Sequence, residues 1–263
     1  MIINDSMLLC VVGEVYGVTQ LHDVVYIVCV GSSTIIRFST TKHRRLTDIN
    51  VRDLRYPLDI AACEQTSQLY VTDNWECIWR VSSEGDDIQR WWTKSSSDTF
   101  RPWTLSVTSL RVLVTTLRTK QLMQLDAAGE QLRRVPLPHY MDPRHAVETP
   151  IGTFVISHYN TQLKQWQVSE VDTEGEVLRQ FSGPLGYTPH IAIDSKGNVF
   201  VADSYNRRIL LLNAYLALRR IIVDERQLND KPWCLCYNEQ SGQLLVGSYE
   251  SGGIVAVFDV LQR

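Results

Sequence analysis

Asp59, His145 and Cys234 each stand two residues after a proline, and His190 stands one residue after Pro189. The surrounding runs look alike: Pro57-Leu-Asp-Ile-Ala, Pro102-Trp-Thr-Leu-Ser, Pro143-Arg-His-Ala-Val, Pro189-His-Ile-Ala-Ile and Pro232-Trp-Cys-Leu-Cys. Carboxylate, imidazole and thiolate are competent ligands for zinc and related metals. If these runs line a common axis, then Gly17, Asp59, Thr104, His145, His190 and Cys234 form one inward ring. Asp59, His145 and His190 are its candidate metal set. The competing role for the imidazoles is neutral hydrogen bonding, because only two histidines occupy the ring. His22, His43, His139 and His158 are expected in loops, without ligand spacing. No Gly-x-Ser-x-Gly, phosphate-binding loop, dinucleotide fingerprint or His-Glu-x-x-His sequence occurs. The expectation is a protein with no catalytic residue and no cofactor, with channel-metal lyase or hydrolase chemistry as an alternative.

A second set of residues suits recognition. Trp75, Arg118, Lys120, Tyr159, Lys164, Tyr205, Arg207 and Tyr249 all fall in polar loops that follow a recurrent β-rich segment. Tyr, Trp and Arg carry much of the binding energy at interfaces. The same types bind single-stranded RNA by base stacking and phosphate contact. Arg118, Lys120, Lys164, Arg207 and Arg208 could make a local basic sector. The bland reading is a solvated rim whose charges pair with Asp73, Glu76 and Glu250. A net charge of −3 favours a protein ligand over RNA, since phosphate contacts need local cations.

The elements that position both sets recur. Segments Val25–Val30, Gln68–Asp73, Arg111–Thr116, Gly152–Ser157, Asn198–Asp203 and Gln243–Ser248 align on Ile27, Tyr70, Leu113, Phe154, Phe200 and Leu245, with gaps of 43, 43, 41, 46 and 45 residues. A period this regular marks a repeat architecture. Each segment has an apolar strand after it and another before it, usually opened by proline, which fits a strand's start and not its middle. A weaker fourth strand closes most units, as at Ile88–Trp92, Gln131–Val135, Val177–Phe181 and Leu216–Ile222. No stretch keeps a helical period. Six units of four strands predict an all-β fold, a six-bladed β-propeller of antiparallel blades, occupying residues 1–263 as one unit. The sixth unit has three strands, and Met7–Val12 is spare. That segment is expected to complete the last blade and close the ring.

In the fifth unit, Pro189-His-Ile-Ala-Ile-Asp-Ser-Lys-Gly-Asn-Val-Phe-Val-Ala-Asp-Ser-Tyr-Asn-Arg-Arg-Ile209 resembles an NHL repeat, and Leu69-Tyr-Val-Thr-Asp73 with Ile78 is a fair second match. The other units keep only the hydrophobic spacing. The resemblance implies a substrate- or RNA-binding propeller of the kind found at the C-terminal end of tripartite-motif ubiquitin ligases. This chain has no Cys/His zinc-ligand series, so ligase activity would have to come from elsewhere. Zinc-dependent amidating lyases are also similar to NHL proteins, but their pattern uses three channel histidines. Asp203, Asn206 and Arg208 are read as architectural, the Asp accepting backbone N–H bonds in the loop that follows its strand.

At 44% hydrophobic and 21% charged residues, the composition is that of a core-forming chain and excludes a mainly disordered one. Six cysteines in apolar surroundings, none in a Cys-x-x-Cys pair, read as buried reduced thiols. No membrane segment or signal peptide is expected at the N-terminus, where Glu14 breaks a short apolar run. A cytoplasmic monomer that binds a protein partner is the resulting expectation.

Overall fold

The strands recur as the repeat predicts, and the second and third of each blade are buried on both faces while the outer ones are partly or largely exposed. A computed structural model describes residues 3–260 apart from 12, 75, 97, 117, 118, 189, 229 and 249–252, and apart from the side chains of 3–7 and 10. Trp75, Arg118 and Tyr249 therefore lie outside the described residues. The described chain holds strands and turns, and no helix long and apolar enough to cross a membrane.

Six antiparallel sheets follow one another as blades. The innermost strands are Val15–Leu21, Pro57–Cys63, Pro102–Thr108, Met141–Glu148, Ile191–Ile193 and Pro232–Asn238 for blades 1 to 6. The second strands are Val24–Cys29, Gln68–Asp73, Arg111–Thr116, Phe154–Asn160, Val199–Asp203 and Gln243–Ser248. Blades 2 to 5 are completed by outer strands Ile88–Thr93, Gln131–Pro136, Val177–Gln180 and Leu218–Val223. Blade 1 departs from the pattern. Its outer edge is two short pieces, Arg44–Arg45 and Ile49–Asn50, that pair with opposite ends of Thr34–Ser39. Where the chain leaves the ladder between them, Arg45 pairs with Asp48, its Nη2 2.5 Å from Oδ2.

Blade 6 is closed by the N-terminal segment. Ile3–Cys10 pairs antiparallel with Ile254–Val260, Ile3 opposite Val260 and Cys10 opposite Ile254, with a bulge between Asn4 and Met7. The closing strand thus starts four residues before the Met7–Val12 expected from hydrophobicity. An outer strand needs backbone hydrogen bonds more than apolar side chains, so polar Asn4-Asp5-Ser6 was not legible as strand.

Apolar burial occurs between blades. Among the described residues one cluster lies at each of the six blade–blade interfaces, including that between blades 6 and 1, where Leu9, Val11, Val255 and Val257 pack with Val15, Val18 and Ile27. A strand sandwiched in this way has both faces covered and reads as a near-continuous apolar run.

Where the innermost strands of blades 1 and 2 meet, Gly17 is required by space. A Cβ there would lie 2.7 Å from the backbone nitrogen of Ile60 and 3.0 Å from the Cα of Asp59. Neither backbone atom can rotate away. Gly17→Ala is expected to lower the urea midpoint by the equivalent of about 1–3 kcal/mol without altering the denaturant slope. An unchanged midpoint would show that the two strands separate at no cost.

Candidate functional site

Five innermost strands carry a bulge at one register: between Val15 and Gly17, Pro57 and Asp59, Pro102 and Thr104, Pro143 and His145, and Pro232 and Cys234. A bulge re-aims the side chains on either side of it. Asp59, His145 and His190 come from blades 2, 4 and 5, and their ligand-capable atoms all lie within 4.8 Å of one another. Blades that are not all neighbours can meet only at the axis, so the inward ring predicted from the sequence exists.

Its geometry is that of an inter-blade staple. Asp59 Oδ2 accepts the N–H of Leu105 in blade 3 (2.9 Å), and Oδ1 accepts that of Ile60 (2.9 Å). Thr104 Oγ1 donates to the carbonyl of Arg144 in blade 4 (2.7 Å). His145 Nδ1 accepts from Ile191 N–H in blade 5 (3.4 Å), and His190 Nδ1 accepts from Leu235 N–H in blade 6 (3.3 Å). Four of the six ring residues thus bind the backbone of the next blade. With Nδ1 an acceptor, the proton of each neutral imidazole sits on Nε2, which in His145 faces the carbonyl of Leu105 at 3.3 Å. His190 Nε2 lies 3.7 Å from Asp59 Oδ2.

Burial pushes His145 down to about 3, and the stacked ring of His190 adds to the effect. Burial likewise lowers His190 to about 3. Burial raises Asp59 to about 6, against the opposing pull of His145 and two backbone N–H groups. At neutral pH the pair of rings is uncharged, so the contact between His190 and Asp59 is not an ion pair.

This arrangement does not fit a metal ion. The imidazoles are stacked, centroids 3.5 Å apart and planes 23° from parallel, so their in-plane lone pairs run side by side and do not converge. Both Nδ1 lone pairs and both Asp59 oxygens already accept backbone N–H groups. An ion bound at either Nδ1 would strip a buried backbone N–H of its acceptor. No catalytic step is assigned to this ring.

The recognition residues sit just outside this ring, beside the starting ends of the innermost strands. On that side the second-to-third-strand loops and the inter-blade loops are tied down by buried polar side chains. Asp73 accepts the N–H groups of Arg55 (3.2 Å) and Tyr56 (2.7 Å) and the indole N–H of Trp79 (3.1 Å). Asp203 accepts from Gly186 N (2.8 Å), Asn206 Nδ2 (2.9 Å) and Arg208 Nε (2.6 Å). Arg208 Nη2 also donates to the carbonyl of Pro184. The Asp203 N–H partner precedes its blade, where the sequence reading placed it in the following loop. The architectural role of Asp203, Asn206 and Arg208 agrees with this geometry.

Across these loops runs a continuous arc of rings. Tyr159 meets Trp166 (5.1 Å between centroids), Trp166 meets Tyr187 edge-on (4.7 Å), and Tyr187 meets both Tyr205 (5.7 Å) and Trp233 (5.5 Å). Trp233 then reaches Tyr16 in blade 1 (5.8 Å). Arg144 lies over Trp166 at 5.4 Å, and Lys231 over Tyr205 at 5.5 Å. Tyr205 is 67% exposed.

Of the residues singled out from sequence, Tyr159 and Tyr205 belong to this arc. Lys164 and Arg207 are exposed at loop positions of positive φ (53° and 44°), with no ion pair found for either among the described residues. Lys120 stands apart, 3.2 Å from Asp142 and bonded to the carbonyl of His139. Of the five cations of the supposed basic sector, Lys120 and Arg208 are therefore neutralised by carboxylates, though by Asp142 and Asp203 and not the acids expected. His158 corrects a second expectation. It lies in the strand Phe154–Asn160, fully buried, with Nε2 2.8 Å from Ser169 Oγ.

Trp166, Arg144, Trp233 and Tyr16 were not singled out because each sits in a strand and reads as core. A signal existed: the residue before each ring position is Tyr16, Trp103, Arg144 and Trp233 in four of the units. A bulge places those side chains at the mouth of the channel.

No family model matches the chain, and no curated protein sequence matches it. Among solved structures, the chain is similar to Kuenenia stuttgartiensis hydrazine synthase, with a TM-score of 0.67 and 15% identity over 92% of this chain and 82% of that one. It is equally similar to the WD40 β-propeller domain of Doa1, with a TM-score of 0.67 and 14% identity over 97% and 96%. At such identities the likeness establishes the propeller fold and nothing finer.

Proposed function

We propose that the chain is a non-catalytic, NHL-type binding platform, a single unit that recognises a protein partner through the aromatic arc. The observation that carries this reading is the chain of six rings from blades 4, 5, 6 and 1, flanked by Arg144 and Lys231, with the loops of blade 5 already fixed by buried Asp203. Such loops lose little freedom on binding, so contact energy goes into affinity. Large amphipathic rings beside guanidinium and ammonium groups are the composition of an interface hot spot. The NHL-like residues of blade 5 extend the proposal to substrate recognition in a ubiquitin-ligase pathway, with the zinc modules outside these 263 residues.

RNA is the rival ligand, and pairing of Lys120 and Arg208 with carboxylates leaves it few cations for phosphate. The two readings separate by salt. With a purified partner, Tyr205→Ala is expected to weaken binding about tenfold or more while leaving the melting temperature unchanged. Raising salt from about 50 to 200 mM should change affinity by less than about tenfold, where six or more phosphate contacts would cost a thousandfold. A steep salt slope with loss in Arg207→Glu, and no loss in Tyr205→Ala, would transfer the site to RNA.

A further inference from the structure

On the side opposite the aromatic arc, the central channel opens as a cavity of about 360 Å³. It is lined by the later halves of the innermost strands and by the hairpins that follow them, from Val18–Gln20, Ile60–Gln65, Leu105–Ser109, Ile191–Ile193 and Leu235–Glu239, with His145 and His190 at its floor. We propose that this mouth binds a small organic cation, a primary ammonium or guanidinium group, held by Glu64, Glu239 and Gln20.

Charge gives the first argument. The lining contains Glu64 and Glu239 and neither a lysine nor an arginine. Both carboxylates are held by neutral donors: Glu64 accepts from Gln240 Nε2 (2.7 Å), and Glu239 from the N–H (3.0 Å) and hydroxyl (2.6 Å) of Ser195. These bonds fix the carboxylates in place without cancelling their charge, so the mouth carries two oriented negative groups. Low-dielectric walls concentrate such a field. The thiol of Cys236, in the same wall, is pushed up by burial, with Glu64 and Asp59 adding to the effect.

Unmet hydrogen bonding gives the second. Gln20 lines the cavity, is 5% exposed, and donates its amide to the carbonyl of His22 (2.9 Å), but its Oε1 has no partner. A buried acceptor left unpaired is costly and calls for a donor. Ser106 spends its proton on the carbonyl of Ala146 (2.9 Å), so its oxygen is also left as an acceptor. The neutral rings of His145 and His190 add no positive charge to the floor. Acceptors and negative charge dominate, and a positively charged donor complements both.

The group could come from a free amine or guanidine, or from a lysine or arginine side chain of a peptide. Calorimetric titration of the full chain distinguishes these. The free probes are n-butylammonium and n-butylguanidinium, the uncharged isostere is n-butylurea, and the peptide probes are Ac-Gly-Lys-Gly-NH2 and Ac-Gly-Arg-Gly-NH2. Saturable one-to-one binding is expected for a cationic probe, at least tenfold tighter than for n-butylurea. Preference for the free cations assigns a metabolite-like amine, and preference for the peptides assigns a side chain. The combined Glu64→Gln and Glu239→Gln variant, altered only at exposed positions, should lose at least tenfold in affinity, and Gln20→Leu should weaken binding further. Tyr205→Ala, on the other face, should leave it unchanged, so failure here and failure of the arc are separate results. Equal binding of n-butylurea, no saturable binding of any cation, or full affinity in the double glutamate variant would overturn the site.

Discussion

A chain lacking residues 3–11 is expected to show no cooperative thermal transition and to aggregate. The deleted segment supplies the outer ladder of blade 6, and its Leu9 with Val11 fills the interface between blades 6 and 1. Full burial of an aliphatic side chain contributes roughly 1.5–3 kcal/mol, and a domain's net stability is only about 5–15 kcal/mol. Removing two such groups and opening a sheet edge consumes most of that margin, and the exposed edge is free to pair with other molecules. Ile3 lies opposite Val260, so a permutant beginning at residue 13, with residues 1–12 joined after residue 263 by a short turn linker, should regain the wild-type melting temperature within a few degrees. A deletion variant that melts cooperatively near the wild-type temperature would show that the segment does not hold the ring.

Acid should loosen the same ring from its axis. His145 and His190 are lowered to about 3 in the folded chain, so below pH 6.5 the unfolded state binds two protons that the folded state does not. Asp59 is raised to about 6, so from pH 6 down to about 4 the folded state binds one proton that the unfolded state does not. The net difference is one proton, and stability from this cluster falls with falling pH by about 1.4 kcal/mol per unit, or about 3 kcal/mol between pH 6 and 4. Asp59→Asn removes the compensating proton and should steepen the slope by one proton. His145→Gln should flatten it by one. Surface carboxylates contribute alike to all three proteins, so differences in slope, read from urea unfolding at each pH, isolate the ring. Parallel slopes would contradict the assigned charge states.

The blades were legible because the second and third strands of each are buried on both sides, which writes an apolar run such as Val199–Asp203 directly into the sequence. The axial register was legible for a related reason, since the prolines and the residues after them recur with the blades. What escaped was anything set by bulges or edges. Tyr16, Arg144 and Trp233 look like core until a bulge turns them to the channel mouth. The start of the closing strand at Ile3 is set by backbone pairing, to which hydropathy is blind. The neutral, stacked state of His145 and His190 depends on which backbone N–H groups the next blades present, and no spacing rule encodes that. Hence Asp59, His145 and His190 were found as a group, with neutral hydrogen bonding weighed against metal binding, while their backbone partners and stacking were not.

The most direct test of the platform is capture of partners from nuclease-treated lysate with the wild-type chain and with a Tyr205→Ala, Trp233→Ala double variant of verified melting behaviour. The arc predicts a discrete protein retained by the wild type after nuclease and lost from the double variant. Retention of the same protein by both, or a bound set that vanishes with nuclease alone, would contradict recognition of protein through these rings.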